Sequence, residues 1–181
     1  MFAHNGYVNR EHLFGLLKDK FKRELKGETD SEVYFYWILQ CIEECGEVLD
    51  GIKKAIGKII SECNHTGLNF LLSDGKSLYA FRYSHGSISY YSLYSLKREP
   101  SGHGLLEFQS QETKALLRSK SLRGEKAVLV CSEKLTGESW KEIGFGNLIE
   151  IRDDLSMNEV RYYDSHSKPR GMYMRNTATI K

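Results

Sequence analysis

The sequence predicts an α+β protein with an antiparallel sheet, and two observations carry this prediction. Apolar residues recur at helical spacing from Leu13 to Ile60, and from Leu68 onward the pattern changes to short strands separated by turns. An order in which helices come first and strands follow favours the α+β class. With 181 residues, the chain is long enough for one domain with a sizeable core, or for one domain with a short tail.

The first helix is predicted at residues 10–26, with Asn9 as its N-terminal cap and Gly27 as its end. One face of this segment is apolar. Its members are Leu13, Leu16, Leu17, Phe21 and Leu25. We interpret the basic residues between them as a solvated face, because positive charge is favoured towards a helix C-terminus.

The second helix is predicted at residues 30–46, and Thr29 and Glu32 open it with the spacing of a capping box. This segment is apolar on more than one side, which indicates a helix packed between layers rather than on the surface. A third helix follows, again with apolar residues at helical spacing. They are Leu49, Ile52, Ile56, Ile59 and Ile60.

Short strands and turns fill the rest of the chain. A β-hairpin is predicted from residues 68–72, a turn at residues 73–76 and residues 77–83. Further strands are predicted at residues 88–94, 127–131, 143–151 and 159–163, a surface loop at 97–104, a short helix at 111–120 and a polar loop at 132–140. We expect residues 1–163 to form the domain and residues 164–181 to form a loosely held polar tail.

Composition and charge argue against several classes of protein. The net charge is +2 with acidic and basic residues mixed along the chain, so nothing favours binding to nucleic acid or to a membrane. No apolar run approaches the length of a membrane span, and the N-terminus lacks the pattern of a signal peptide, so we expect a cytoplasmic protein. The four cysteines contain no Cys-x-x-Cys pair and the six histidines are scattered, so we expect no metal site and no cofactor.

Two short motifs are candidates for a functional site. Residues 2–7 are predicted to be a strand end that runs into a turn at Asn5 and Gly6, because Asn tolerates left-handed backbone and Gly adopts it at no steric cost. Residues 27–32 open the second helix and place Asp30 in its first turn. Taken singly, both motifs have an ordinary structural interpretation, as turn residues and as an acid that favours the helix dipole.

Four stretches, in this order, resemble the class II glutamine amidotransferases, the N-terminal-nucleophile type. The resemblance is strongest to the stand-alone branch related to enzymes that hydrolyse γ-glutamyl compounds. The stretches are residues 2–6, 27–32, 68–83 and 130–136 followed by Trp140. The fourth looks like the Ser-Glu-Pro-Leu-Thr signature of that branch, with Lys134 in place of the proline.

This resemblance implies a four-layer αββα sandwich of the N-terminal-nucleophile hydrolase type. It also implies a reaction in which an N-terminal cysteine attacks the side-chain amide of glutamine, with its own α-amino group as the base. The Asn5 side chain and the Gly6 backbone N–H would form the oxyanion hole, since fixed donors stabilise the charge that develops on the amide oxygen. The Asp30 carboxylate would bind the α-ammonium group of a glutamine or γ-glutamyl substrate.

The chain departs from the family at its start. The catalytic cysteine of the family stands well ahead of the His-Asn-Gly motif, which here occupies residues 4–6. The opening strands, the nucleophile and the arginine segment that holds the substrate carboxylate have no counterpart. Each of the four cysteines lies mid-chain without the free amino group that acts as base, and Phe2 offers no nucleophile. We therefore expect a sandwich that is incomplete at its N-terminus and that is inactive alone.

Three explanations stay open: one part of a split enzyme, a truncated product, or a non-catalytic descendant that serves as an interaction or regulatory module. Missing strands leave open sheet edges and an uncovered apolar face, so we expect a homo-oligomer or a complex with a separate N-terminal partner chain. A more distant alternative is a cysteine hydrolase that uses Cys131 with one of the histidines. It requires Cys131 to be exposed and next to a base.

Overall fold

The computed structural model describes residues 1–86, 89–102, 106–110, 114, 116–119 and 124–162. Within these residues the helices are α1 (Arg10–Leu16), α2 (Asp19–Lys22), α3 (Asp30–Cys45) and α4 (Val48–Glu62). The strands within them are β1 (Phe2–Val8), β2 (His65–Ser73), β3 (Leu78–Phe81), β4 (Tyr94–Arg98), β5 (Leu106–Gln109), β6 (Leu116–Ser119), β7 (Ala127–Cys131), β8 (Lys141–Glu142), β9 (Asn147–Ile151) and β10 (Met157–Arg161).

Within the described residues, every paired strand is antiparallel to its neighbour, as the order of helices and strands predicts. The largest sheet has five strands in the order β1-β2-β3-β9-β10. A second sheet has three strands in the order β7-β4-β8, and β5 pairs with β6. The predicted mixture of helices and an antiparallel sheet is confirmed.

Neighbouring residues of the five-stranded sheet enter two different cores, because successive side chains of a strand point to opposite faces. Phe81 of β3 and Leu148 of β9 belong to the core that also contains the apolar residues of the helices. Their neighbours Ala80 and Ile149 belong to a second core, against which Val128 of β7 packs. The sheet therefore lies between the helices and the three-stranded sheet.

The described residues thus form three layers: helices, the five-stranded sheet and the three-stranded sheet. All four described helices contribute side chains to the first core. The second helical layer of an αββα sandwich is not found in the part of the chain that the structure describes. No helix within that part is long and apolar enough to cross a membrane.

The N-terminal motif forms a strand, so the predicted turn at Asn5 and Gly6 is wrong. Asn5 lies opposite Asn69 and Gly6 opposite Leu68 in the antiparallel pair of β1 and β2. The register shifts between Gly6 and Val8, which marks a bulge. Glycine is nevertheless required at position 6, because its φ is +143°.

The first predicted helix is two short helices, and its predicted continuity to residue 26 is wrong. The chain is extended at Leu17, where φ is −68° and ψ is 138°. The buried side chain of Gln40 explains why the break is tolerated. Its Oε1 accepts a hydrogen bond from the Lys18 backbone N–H at 2.7 Å, and its Nε2 donates to the Leu16 carbonyl at 3.3 Å. Gln40 of α3 thus provides hydrogen-bond partners for the Lys18 N–H and the Leu16 carbonyl, which a continuous helix would otherwise pair within itself.

The two predicted N-terminal caps, Asn9 and Thr29, are confirmed. The Asn9 side chain accepts a hydrogen bond from the backbone N–H of His12 at 2.8 Å. Thr29 Oγ1 accepts from the Glu32 N–H at 3.2 Å, so α3 begins where the capping-box spacing places it. The Glu32 carboxylate accepts from the backbone N–H groups of Lys26 and Gly27 instead of completing the box. Gly27 therefore belongs to the entry of α3, and its predicted role as a helix end is wrong because α2 ends at residue 22.

In the second half of the chain, the hairpin of β2 and β3 and the strand β7 are confirmed. The strand predicted at residues 88–94 is wrong over 89–93, because β4 begins only at Tyr94 and runs into the predicted loop as far as Arg98. The helix predicted at residues 111–120 is wrong over 116–119, which form β6 in the pair with β5. The strand predicted at residues 143–151 starts at Asn147, after a turn. Tyr163 and the tail at residues 164–181 lie outside the described residues.

Candidate functional site

Asn5 lines a cavity beside the edge strand β1. Its side chain is exposed. The cavity has a volume of about 180 Å³. It is lined by Ala3, His4, Asn5, Asn69, Phe70, Leu71, Leu93, Cys131 and Ser132. A second, more polar depression shares Asn5 and Ser132 with it. The predicted oxyanion residue therefore borders space in which a small molecule fits.

Gly6 follows Asn5 and lets two strands approach closely. A Cβ built on Gly6 would lie 1.9 Å from the carbonyl oxygen of Gly67 on β2. No side chain fits at that distance, and the positive φ of Gly6 disfavours one as well. The close contact between the Gly6 and Gly67 backbones, which only glycine at position 6 permits, therefore fixes the backbone beside Asn5.

Asn69 holds one wall of the cavity through three hydrogen bonds. Its Nδ2 donates to the carbonyl oxygens of Tyr91 at 3.2 Å and Ser92 at 3.3 Å. Its Oδ1 accepts from the Tyr83 backbone N–H at 3.0 Å. The side chain is buried, so these bonds replace the water that the amide loses.

Arg82 is a second buried side chain that holds residues 91–92, the segment to which Asn69 bonds. Its Nε donates to the Tyr91 carbonyl at 3.0 Å and its Nη1 to the Ile143 carbonyl at 2.6 Å. Glu142 accepts from Nη1 at 2.7 Å, and this carboxylate balances the charge of an arginine that is only 5% exposed. The buried side chains of Asn69 and Arg82 therefore fix residues 91–92, and Ser92 borders the polar depression together with Asn5.

Asp30 lies on the helix side of β1 and is tied to that strand. Its Oδ2 accepts a hydrogen bond from the Val8 backbone N–H at 2.9 Å. Its Oδ1 accepts from the Ser31 backbone N–H, also at 2.9 Å. Val8 is two residues beyond Gly6, so the structure connects Asp30 with the strand that carries Asn5 and Gly6. Asp30 does not line either cavity that Asn5 borders.

His4 bridges β1, β2 and α3. Its Nδ1 lies 3.0 Å from Ser31 Oγ, and its Nε2 lies 3.2 Å from the Gly67 carbonyl oxygen. Its ring makes an edge contact with the ring of Tyr34, with 5.1 Å between centroids. Burial lowers the pKa of His4 below its ordinary value, although the Gly67 hydrogen bond and the Asp30 charge act in the opposite direction.

Three of the four thiols, those of Cys41, Cys63 and Cys131, are poorly suited to act as nucleophiles. Burial raises the pKa of Cys41 to about 12 and that of Cys63 to about 11. Burial, with a smaller contribution from Glu133, also raises the pKa of Cys131, which borders the Asn5 cavity. An activated thiol has a lowered pKa. These environments do not support the Cys131 hydrolase.

Sequence reasoning missed His4, Ser31, Asn69 and Arg82 as parts of this site. A signal was present for Asn69, because a lone amide within the apolar run of β2 requires hydrogen-bond partners once it is buried. The contacts of His4 with Ser31 and Gly67 join residues 27 and 63 positions apart, and no local pattern reports them.

A mixed fold of helices and antiparallel sheets, with an Asn-Gly strand at a small cavity, agrees with the resemblance to the glutamine amidotransferases. A sequence model of the family described as glutamine amidotransferases class-II matches residues 1–176. The chain belongs to this family. No curated protein matches the chain.

Two examples show the similarity of this chain to solved structures. One is described as a glutamine aminotransferase class-II domain protein from Silicibacter pomeroyi, with 26% identity and a TM-score of 0.59 over 88% of this chain. The other is a predicted glutamine amidotransferase from Pseudomonas aeruginosa PA01, with 20% identity and a TM-score of 0.57 over 82% of this chain. The present chain spans 66% of the first protein and 56% of the second.

Proposed function

We propose that residues 1–181 bind a glutamine or γ-glutamyl amide. The Asn5 side chain and the Gly6 N–H donate to the amide oxygen of the ligand, and the Asp30 carboxylate binds its α-ammonium group. Fixed donors at a rigid strand suit the charge that develops on an amide oxygen under attack. A carboxylate held by two backbone N–H groups suits a cationic partner.

One observation carries this proposal: all three residues are organised around β1. Asn5 and Gly6 lie within the strand, and the hydrogen bond from Val8 to Asp30 ties the carboxylate to it at 2.9 Å. The ligand has an amide at one end and an ammonium group at the other. It therefore needs donors for the amide oxygen and an acceptor for the ammonium group, held at a fixed separation. Because β1 carries the donors and is bonded to the Asp30 carboxylate, this strand supports that requirement.

The attacking thiolate comes from outside residues 1–181 in this proposal. Family chemistry uses a cysteine whose own α-amino group removes the thiol proton. The cysteines of this chain lack that amine, and burial raises the pKa of three of them. Residues 1–181 then supply ligand contacts, and a cysteine on a preceding segment or a partner chain supplies the nucleophile for amide hydrolysis or transfer.

A second candidate is a non-catalytic interaction or regulatory module on the same scaffold. The observation that favours it is the edge strand β1, on which Ala3, Asn5 and Tyr7 are exposed and none of the three carries a charge. Such an edge pairs readily with another strand. This candidate differs from the first in requiring no glutamine binding.

Binding of L-glutamine, measured by isothermal titration calorimetry, tests the proposed function. Glutaramate, which has the amide but no ammonium group, is the comparison ligand. We expect Asp30→Asn to weaken L-glutamine binding about tenfold or more and to remove the preference over glutaramate, because a charge-assisted bond is lost. Asn5→Ala should weaken the binding of both ligands, because both carry the amide to which Asn5 donates.

Asp50→Asn is the matched control, because Asp50 is likewise an acid in the first turn of a helix and is exposed. It should bind like the unchanged protein. Absence of L-glutamine binding, or equal binding of the two ligands, would overturn the proposal and favour the interaction module. Intact mass and N-terminal sequence of the protein from its native source then show whether a preceding cysteine exists.

A further inference from the structure

The hydrogen bonds of His4 determine where its proton lies at neutral pH. The Gly67 carbonyl is only an acceptor, so the Nε2 that lies 3.2 Å from it must carry the hydrogen. Neutral imidazole has a single N–H, and Nδ1 is then an acceptor. Ser31 Oγ lies 3.0 Å from Nδ1 and must be the donor of that hydrogen bond.

This direction leaves the Ser31 hydroxyl unable to donate to Asp30. The two groups are 3.5 Å apart between Oγ and Oδ1, and the hydroxyl has one hydrogen. With the Ser31 hydroxyl turned to His4, Asp30 accepts hydrogen bonds from the backbone N–H groups of Val8 and Ser31. A carboxylate has about four lone-pair directions, so sites remain for a ligand.

Protonation of His4 reverses the chain of hydrogen bonds. Nδ1 becomes a donor and Ser31 Oγ becomes its acceptor, so the Ser31 hydrogen is released to turn towards Asp30 Oδ1. Asp30 then gains a further donor and a nearby positive charge. Both compete with an ammonium group at the same carboxylate.

We propose that His4 is a positioning residue for amino-group recognition, which in its neutral form draws the Ser31 hydroxyl away from Asp30 and keeps the carboxylate open to an ammonium ligand. This inference rests on the proposed function, because it assigns the ammonium contact to Asp30. It adds a role for two residues, His4 on β1 and Ser31 on α3, which act on the ligand through Asp30.

The surroundings of His4 support this role. Helix α3 presents Asp30 and the Tyr34 phenol to the ring, β2 presents the Gly67 carbonyl, and β1 presents Phe2. Asp30 is the one charged group among the described residues that acts on His4. Burial holds the pKa of His4 below its ordinary value, so the ring is neutral at pH 7.5 and becomes protonated in acid.

The test measures the affinity for L-glutamine and for glutaramate at pH 7.5 and at an acidic pH at which NMR titration shows the His4 ring to be protonated. We expect a two- to tenfold loss of L-glutamine affinity at that acidic pH, about the effect of one competing hydrogen bond, and no comparable loss for glutaramate. His4→Gln should abolish the pH dependence, because glutamine carries no titratable proton. Ser31→Ala should reduce the pH dependence, because the hydroxyl that turns towards Asp30 is then absent and only the charge of the His4 ring remains.

A second measurement reads the proton directly. Long-range ¹H–¹⁵N NMR of the His4 ring should show the Nε2–H tautomer at pH 7.5, with an Nδ1 shift that changes in Ser31→Ala. Observation of the Nδ1–H tautomer overturns the inference even if a variant binds poorly or is unstable. Equal pH dependence in the unchanged protein and Ser31→Ala also overturns it.

The two proposals fail in different ways. If L-glutamine does not bind at either pH, the proposed function fails and the inference fails with it. If L-glutamine binds through Asp30 with the same affinity at both pH values, the proposed function survives and only the role of His4 is wrong.

Discussion

At the scale of single residues, Gly6 determines how closely β1 and β2 approach beside the candidate site. Two separate restrictions act on it: a positive φ and a contact with the Gly67 backbone. Asn5 owes its position to this neighbour, because the strand can hold its amide at the cavity only if β2 lies close enough to pair with residue 6.

Gly6→Ala should therefore lower the free energy of unfolding by about 2 kcal/mol or more, because a methyl group would be forced against backbone and into an unfavourable φ. Urea denaturation followed by circular dichroism measures this change.

The matched control for this change is Gly75→Ala. Gly75 also has a positive φ, of 94°, but has nothing within 4 Å of the added Cβ. Gly75→Ala should lower the free energy of unfolding by about 1 kcal/mol, because only the unfavourable φ contributes and no steric contact is added. Equal costs for the two variants would contradict the proposed role of the Gly67 contact.

At the scale of secondary structure, the break between α1 and α2 depends on a side chain from α3. Gln40 is 3% exposed and bonds both to the Lys18 N–H and to the Leu16 carbonyl. The apolar face from Leu13 to Leu25 predicts one helix, because helical spacing alone does not report a donor and an acceptor supplied from elsewhere.

Gln40→Ala should destabilise the protein by about 1 to 3 kcal/mol, because two partly buried backbone groups lose the partner that Gln40 provides. Hydrogen exchange should become faster at Lys18 in particular. Glu43→Gln, an exposed change on the same helix, is the control and should cost less than about 1 kcal/mol. Similar effects of the two changes would argue against a special role for Gln40.

At the scale of the whole molecule, the edge of the five-stranded sheet is the notable feature. β1 has β2 on one side, and no other described strand pairs with it. Its sequence carries neither lysine nor proline, the residues that commonly protect an edge. We therefore expect association, either with a second copy or with a separate chain.

Size-exclusion chromatography with light scattering tests this expectation on residues 1–181. The protein should elute as more than a monomer. Tyr7→Lys should shift it towards the monomer, because Tyr7 is 48% exposed on this edge and a lysine there opposes pairing. Lys76→Gln, a change in an exposed turn, should leave the assembly as it is. A monodisperse monomer for the unchanged protein would refute the expectation.

The sequence predicts the fold well where its patterns are local. The helices α3 and α4, the caps at Asn9 and Thr29 and the β2–β3 hairpin follow from spacing and turn chemistry. Predictions failed where long-range pairing decides the outcome. Residues 116–119 form a strand because they pair with β5, and Asn5 and Gly6 form a strand because they pair with β2.

The sequence by itself determined the α+β class, the positions of the long helices and the family resemblance, because these depend on hydrophobic period and on short motifs. Only the tertiary structure decided that Asn5 borders a cavity, that Asp30 is tied to Val8 and that His4 contacts Ser31 and Gly67. The physical reason is that a hydrogen bond depends on separation in space, and residues far apart in the chain come within about 3 Å only once the layers have packed.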